Sequence, residues 1–411
     1  MSKIAPLAFV SAVVCFASFG LLGNSGNAIA GATSTPVDAE IQNVVAATTA
    51  FLNSLTPAQR GNVQFTFAAQ ETAKAAKFSR AGIPAKRSGE APGGPGGQAN
   101  PMTQSRPRPG SGRGPGMGPP GGFIGEQYGQ AVWSNYPVSD VPRPGLRLGS
   151  LSATQRDAAM HLLQVALSSN GYQKVLEIMG SDEALSKTGT PYCSGTACYT
   201  IGIFGEPSAT KPWMLEFGGH HLGLNLTMAG AHGVITPTLT GAQPAVYTSN
   251  GKTVRALAQE NDKAFALLNA LDTNQRKQAI LNYEIRDLVL GPGHPGETIQ
   301  PEGLKAAAMN QKQREMLLDL ISEWAGIIND AYAEPRMTEI KLGLDETYFA
   351  WSGPTTHEPG KNGTSYYRIQ GPKVVIEFSP QGVGGDPTMH VHTMYRDPTN
   401  DYGRASITSS N

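Results

Sequence analysis

Alternation of apolar and polar positions marks the strands of this chain. "HHLGLNLT" (220–227) sets His220, Leu222, Leu224 and Leu226 on one face of an extended segment and His221, Gly223, Asn225 and Thr227 on the other. "TACYTIGIFG", "PWMLEFGGHHLGLNLTMAG", "TEIKLGLDETYFAWSG", "TSYYRIQGPKVVIEFSP" and "MHVHTMYRD" also read as strands, rich in β-branched and aromatic residues and punctuated by Gly, Pro, Asn and Asp. A different signal lies in "LTPAQR" (55–60), "LSATQR" (151–156), "LDTNQR" (271–276) and "MNQKQR" (309–314). Each sets a capping residue (Thr56, Ser152, Asp272, Asn310) three positions before a glutamine (Gln59, Gln155, Gln275, Gln313), the spacing of a capping box. Pro57 takes a first helical position, where its missing N–H does no harm. After three of these phrases the apolar residues keep a helical period: Met160, Leu163 and Leu167, then Ile280, then Leu317, Leu320 and Ile321. Their irregular spacing predicts recurrent helix starts and not a solenoid. Helices cluster between strand groups, so the expected fold is α+β, an antiparallel-rich sheet with several capped helices in a single large domain.

Composition divides the chain further. Residues 1–30 read as a signal peptide: Lys3, an apolar run from Pro6 to Leu22, then Ala28-Ile29-Ala30 before the cut. The run is too short and interrupted for a membrane span, so the expectation is an exported protein, periplasmic or extracellular, with no span after signal removal. Residues 31–90 are expected to be an N-terminal helical part of the main domain, which continues over 123–411. Between them, 91–122 holds nineteen Gly or Pro among thirty-two residues and cannot bury enough to order itself. Its Gly116-x-Gly118-x-x-Gly121 follows no strand and contains prolines, so it is no dinucleotide fingerprint. The formal net charge is zero, yet Lys77 to Arg113 is strongly basic. That tract is not interleaved with aromatics, so no nucleic-acid partner is expected. Cys193 and Cys198 read as one local disulfide, with buried thiols or a soft metal site as alternatives.

The eight histidines carry the candidate chemistry. His390 and His392 project from one strand face, a common way to offer two imidazoles to one ion. His221, with small polar neighbours, would complete a three-histidine site for zinc with an open position for water. His220 falls with the leucines and reads as a core histidine bonded to backbone. Met394 and Met228 keep copper open. Glu377, among apolar residues, is a candidate fourth ligand, general base, or ion-pair partner of Arg396 or Arg368. Arg396, Asp397, Asp401 and Tyr402 form a polar turn that would serve as a substrate rim, with Arg368 and Asn225 as further binding residues. Glu377 with Asp397 or Asp401 would suit carboxylate catalysis only if the acids face each other. No G-x-S-x-G elbow, H-E-x-x-H helix or phosphate loop is present.

At "GEPSATKPWMLEFGGHHLGLNLT", "YYRIQGPKVVIEF" and "HVHTMYRDPTNDYG", and at "FLNSLTPAQRGNVQF", "GPGHPGE" and "EGLKAA", the chain resembles the secreted-protein family called domain of unknown function 3500. The resemblance covers most of the mature chain and implies that the histidine segments share one domain. It carries over no reaction, substrate or catalytic residue. The leading expectation is a metal-dependent hydrolase acting on a small molecule or polymer. The alternatives are a non-catalytic binding module, with Trp213, Trp351 and Tyr367 as platforms, and a copper redox protein.

Overall fold

The computed structural model describes residues 36–68, 72–78 and 123–408. The signal-peptide segment 1–30 and the insert 91–122 lie outside them. All four capping boxes form as the sequence predicts. The described chain is a single α+β domain built around a large, mostly antiparallel sheet.

The elements fall into two similar sets. The first comprises α1 (Pro36–Ser54), α2 (Pro57–Val63), β1 (Gln64–Phe65), β2 (Lys74–Phe78), β3 (Phe123–Tyr128), β4 (Ala131–Trp133), β5 (Leu146–Arg147), α3 (Ala153–Ala166) and α4 (Ser169–Ser186). Strands β6 (Thr200–Phe204), β7 (Trp213–Gly219), β8 (Leu222–Ala229), β9 (His232–Val234) and β10 (Thr238–Ala242) follow, then a hairpin of β11 (Val246–Ser249) and β12 (Lys252–Arg255). The second set is α5 (Ala258–Ala270), α6 (Thr273–Ala279), β13 (Leu304–Lys305), α7 (Gln311–Ala325), α8 (Asp330–Leu342), β14 (Tyr348–Ser352), β15 (Tyr366–Gln370), β16 (Val375–Pro380) and β17 (Val391–Arg396), closed by α9 (Arg404–Thr408).

Across the sheet, β6-β7-β8-β10 runs straight into β17-β16-β15-β14, so the strand order is a palindrome about the β10–β17 pair. Thr240 pairs with Thr393 at the middle of that pair, their hydroxyls 2.5 Å apart. At the two outer ends, β5 pairs with β6 as β13 pairs with β14. The parallel pairing of β1 with β6 has its counterpart in a parallel bridge between Ile280 and Trp351. The glutamines of the capping boxes also meet two by two. Gln59 and Gln155 exchange amide hydrogen bonds of 2.9 and 3.2 Å, and Gln275 and Gln313 exchange bonds of 2.8 and 3.0 Å. "GLRLGSLSATQR" (145–156) and "GLKAAAMNQKQR" (303–314) are therefore the same structural phrase. The irregular spacing of the four boxes arises because the first pair is separated by β2–β4 and the chain between them.

Strand alternation decides what covers each face. Trp213, Leu215 and Phe217 of β7 and Leu222, Leu224 and Leu226 of β8 join the large core that includes the buried faces of the helices. The other face, with Met214, Leu239 and Met394, packs with Tyr128, Trp133, Leu288, Leu290 and Tyr402. Trp213, Trp351 and Tyr367 are fully buried, so the expectation of exposed aromatic platforms is corrected. Cys193 and Cys198 form a disulfide, which removes the thiol and thiolate-metal readings. Among the described residues, no helix is long and apolar enough to cross a membrane.

Gly145 and Gly303 occupy matching places, with φ of +99° and +96° and a strand carbonyl pressed against each: a Cβ would lie 2.0 Å from the Ile201 oxygen or 2.2 Å from that of Phe349. Gly303→Ala is expected to lose more than ~2 kcal/mol in urea denaturation. Gly251→Ala, at positive φ but in open space, is expected to lose only about 1 kcal/mol.

Candidate metal centre

Gly219 pairs with Leu222, so the β7–β8 hairpin closes on two residues, His220 and His221. The strand expected over 220–227 therefore begins at Leu222. The direction of both histidines is set by the turn, which corrects their assignment to strand faces. His221 has a φ of 63°, in the left-handed region that His tolerates better than most side chains. Its N–H donates to the Asn135 carbonyl at 3.1 Å. Gly241, near the end of β10, leaves the room: a Cβ there would lie 3.2 Å from the His221 Cβ and 2.7 Å from the Val391 carbonyl.

Gly241 also pairs with His392 on β17, which brings the turn to the second histidine pair. Nε2 of His390 lies 2.9 Å from Nε2 of His221 and 3.1 Å from Nε2 of His392. One ligand atom from each of the three rings lies within 4.8 Å of the others. A tetrahedral ion with bonds of ~2.0–2.1 Å to nitrogen would hold its ligand atoms about 3.3 Å apart. The 2.9 and 3.1 Å spacings lie close to that separation, and the third pair of ligand atoms stays within 4.8 Å. His221 and His390 are buried, whereas the His392 side chain is 14% exposed and marks the open side.

Neighbouring groups fix the proton of His390. Its Nδ1 lies 2.7 Å from the Val383 carbonyl, which can only accept, so Nδ1 carries the hydrogen and Nε2 a lone pair. That lone pair can take one hydrogen bond, yet two imidazole nitrogens face it. Burial, with the surrounding histidines, holds His221 well below its ordinary pKa. Burial and then His392 take His390 down to about 3, against the opposing effect of its bond to Val383. The two buried imidazoles are neutral near pH 7 and carry one N–H each, so Nε2 of His390 accepts from at most one of the two ring nitrogens that face it.

Around His392, the Asn135 amide nitrogen is 3.2 Å from Nδ1 and 3.3 Å from Nε2. An in-plane hydrogen bond reaches one ring nitrogen, so near-equal distances put this amide over the ring face. Asp287 Oδ1 is 3.7 Å from Nδ1, too long for a direct hydrogen bond but close enough to act by charge. Burial would raise the Asp287 carboxyl; His392, the Leu288 amide and Gln381 outweigh it and hold it below its ordinary range. His220 turns away from the cluster. Its Nδ1 lies 2.9 Å from Asp182, so its ring partner is a carboxylate and not the expected backbone group, and its ring stacks on His221 at 3.7 Å.

The other sequence candidates lie elsewhere in the buried frame. Glu377 accepts from the Val289 and Leu290 amides and the Tyr366 hydroxyl, beside Arg368. Arg396 bonds Glu126 and Asp401, each at 2.8 Å, and lies over the Trp133 ring. Tyr402 donates to Glu126, Asp397 pairs with Arg336, Arg368 with Glu302, and Asn225 donates to the Pro237 carbonyl. All of these candidates are buried, and none is in the three-histidine group. Sequence reasoning did not find Asn135, Asp287, the Val383 carbonyl or Asp182. Each is an ordinary turn, loop or helix residue until the chain folds, and no local pattern singles them out.

A family model described as protein of unknown function (DUF3500) matches residues 125–404, more than half of the chain. The chain belongs to this family. The DUF3500 match contains all three histidines with Asn135, Asp182, Asp287 and Val383, while α1 and α2 fall before it. No curated protein and no solved structure matches the chain.

The two depressed histidines make stability depend on pH. Their folded pKa values lie below the unfolded value, so their contribution is complete above about pH 6.5 and is lost as pH falls below it, for His390 down to about 3. Urea melts in chelator are expected to show stability falling between pH 6.5 and 4 with uptake of up to about two protons on unfolding. His390→Ala is expected to flatten that slope.

Proposed function

We propose that the protein is an exported metal-dependent hydrolase in which His221, His390 and His392 hold one zinc ion through neutral imidazoles. The observation that carries this reading is that Nε2 of His221 and Nε2 of His392 both close on Nε2 of His390, whose single lone pair can take a hydrogen bond from only one of them. Zinc with three imidazoles and one open position lowers the pKa of bound water toward neutrality and supplies a hydroxide nucleophile. The side of His392 and the half-exposed Asp287 carboxylate give the approach for a polar small molecule or a polymer. We assign the carboxylate role to Asp287, because the Glu377 oxygens are engaged by two amides and a tyrosine. The Val383 carbonyl on His390 is the outer-sphere partner that ligating histidines characteristically have. Export to the periplasm or beyond is supported by the Cys193–Cys198 disulfide, which an oxidising compartment preserves. Met394 follows His392 on the same strand face and keeps copper as the alternative ion.

Mature protein purified without an affinity tag or added metal is expected to carry roughly one equivalent of zinc or copper. The His390→Ala/His392→Ala double variant is expected to fold and to lose it. Hydrolysis of activated carboxylic and phosphate esters should disappear on chelation and return with that metal. A wild-type protein that takes up no metal, even after reconstitution, overturns the reading. Asp287→Ala is expected to weaken zinc binding by about tenfold, read by competition with a chromophoric chelator.

A further inference from the structure

The Cys193–Cys198 loop and the tyrosines that flank it reach the ligand-bearing turn by three routes, one of them through Asp182. Gly195, inside the loop, donates its N–H to Asp182 Oδ2 at 2.8 Å. Asp182 Oδ1 then holds His220 Nδ1 at 2.9 Å, with the carboxylate 1% exposed. Tyr192, just before Cys193, sets its ring edge-on to His220 with centroids 5.2 Å apart. Tyr199, just after Cys198, donates its hydroxyl to the His220 carbonyl at 3.0 Å. His220 in turn stacks on His221 at 3.7 Å and shares its two-residue turn. Among the described residues His221 Nδ1 is buried with no hydrogen-bond partner, so no bond from that atom to them fixes its ring. Beyond its Nε2 contact with His390, the orientation of His221 depends on the backbone of the turn and on the His220 ring beside it.

We propose that Asp182 is a positioning residue for the metal centre and that the Cys193–Cys198 disulfide, acting through Gly195, Asp182 and His220, makes metal retention depend on redox state. This inference rests on the three-histidine reading above. Cys193 is half-buried on a loop whose Thr196 and Ala197 are exposed, so a dithiol can reach it. The dithiol delivers two electrons and two protons to the Sγ–Sγ bond, leaving two protein thiols and becoming a disulfide itself. The loop between Tyr192 and Tyr199 then rests on its hydrogen bonds, among them Cys193 N–H to Ser139 and Thr196 N–H to Glu183, and the Gly195 amide is held less firmly against the second oxygen of Asp182. Outer partners of this kind set ligand geometry, and their loss typically costs 10–100-fold in metal affinity.

The test is zinc affinity by competition with a chromophoric chelator, together with the visible absorption of the cobalt(II)-substituted protein. It compares oxidised full-length mature protein with Asp182→Ala and Cys193→Ser/Cys198→Ser. The double serine variant opens the loop without adding thiolates that would bind zinc themselves, and circular dichroism checks that each protein is folded. Roughly tenfold weaker zinc binding in either folded variant, with an altered cobalt band, is the expected result. Unchanged affinity and an unchanged band in the double serine variant overturn the redox link. The same outcome in Asp182→Ala overturns the positioning role. If oxidised wild type binds no zinc, the three-histidine reading itself has failed, an outcome separate from the other two because it appears before any variant is made.

Discussion

The pairing of β10 with β17 is the constraint on which the rest of the structure depends. It joins two sets of elements far apart in the chain, and its centre is buried: Thr240 and Thr393 are enclosed, and Trp324 of α7 donates its indole N–H to the Thr393 hydroxyl at 2.9 Å. Side chains in a strand alternate with a period of two, so a slip of one residue here would turn His392 to the helix side and Thr393 to the other. The register that buries the threonines is the one that brings Gly241 opposite His392 and leaves space for His221. Core packing and site geometry are thus set by the same set of backbone hydrogen bonds.

Electrostatics at the centre follow from that placement. An exposed histidine titrates near neutrality, but burial beneath the β7–β8 turn removes the water that would solvate an imidazolium. The frame behind the centre works differently. Arg396 is buried with two carboxylates and several carbonyl oxygens around it, and removing one partner of such a cluster typically costs 3–5 kcal/mol. The ionised groups suit rigidity there, and the neutral ones suit a ligand.

Much of this was legible in the sequence, for reasons particular to each element. The capping boxes were readable because they are local: a side chain three residues away satisfies the backbone, whatever the tertiary context. The H-x-H pair was readable because a strand puts alternate residues on one face. His221 was selected from a strand face, yet what aims it is a turn with positive φ, set by the Asn135 carbonyl and the small neighbour Gly241. Glu377 stood out as a charge in apolar surroundings and Arg396 and Asp401 as members of a polar turn, and neither signal separates a buried structural network from a catalytic one. The repeated order of elements stayed hidden because apolar identities differ between the two sets while the glycine and capping positions recur.

The palindromic sheet has two ends at its central pair, and they have become unlike each other. Counting along β10 and β17, Pro237 stands where His390 does, and the β15–β16 turn stands where His220 and His221 do. At that other end Arg336 binds the Lys373 carbonyl, the Tyr395 hydroxyl and Asp397, forming a closed ionic knot in which guanidinium donors meet the oxygen lone pairs. A scaffold with a repeated strand order can thus differ at its two extremities: one is closed by buried ion pairs, and the other gathers three imidazoles.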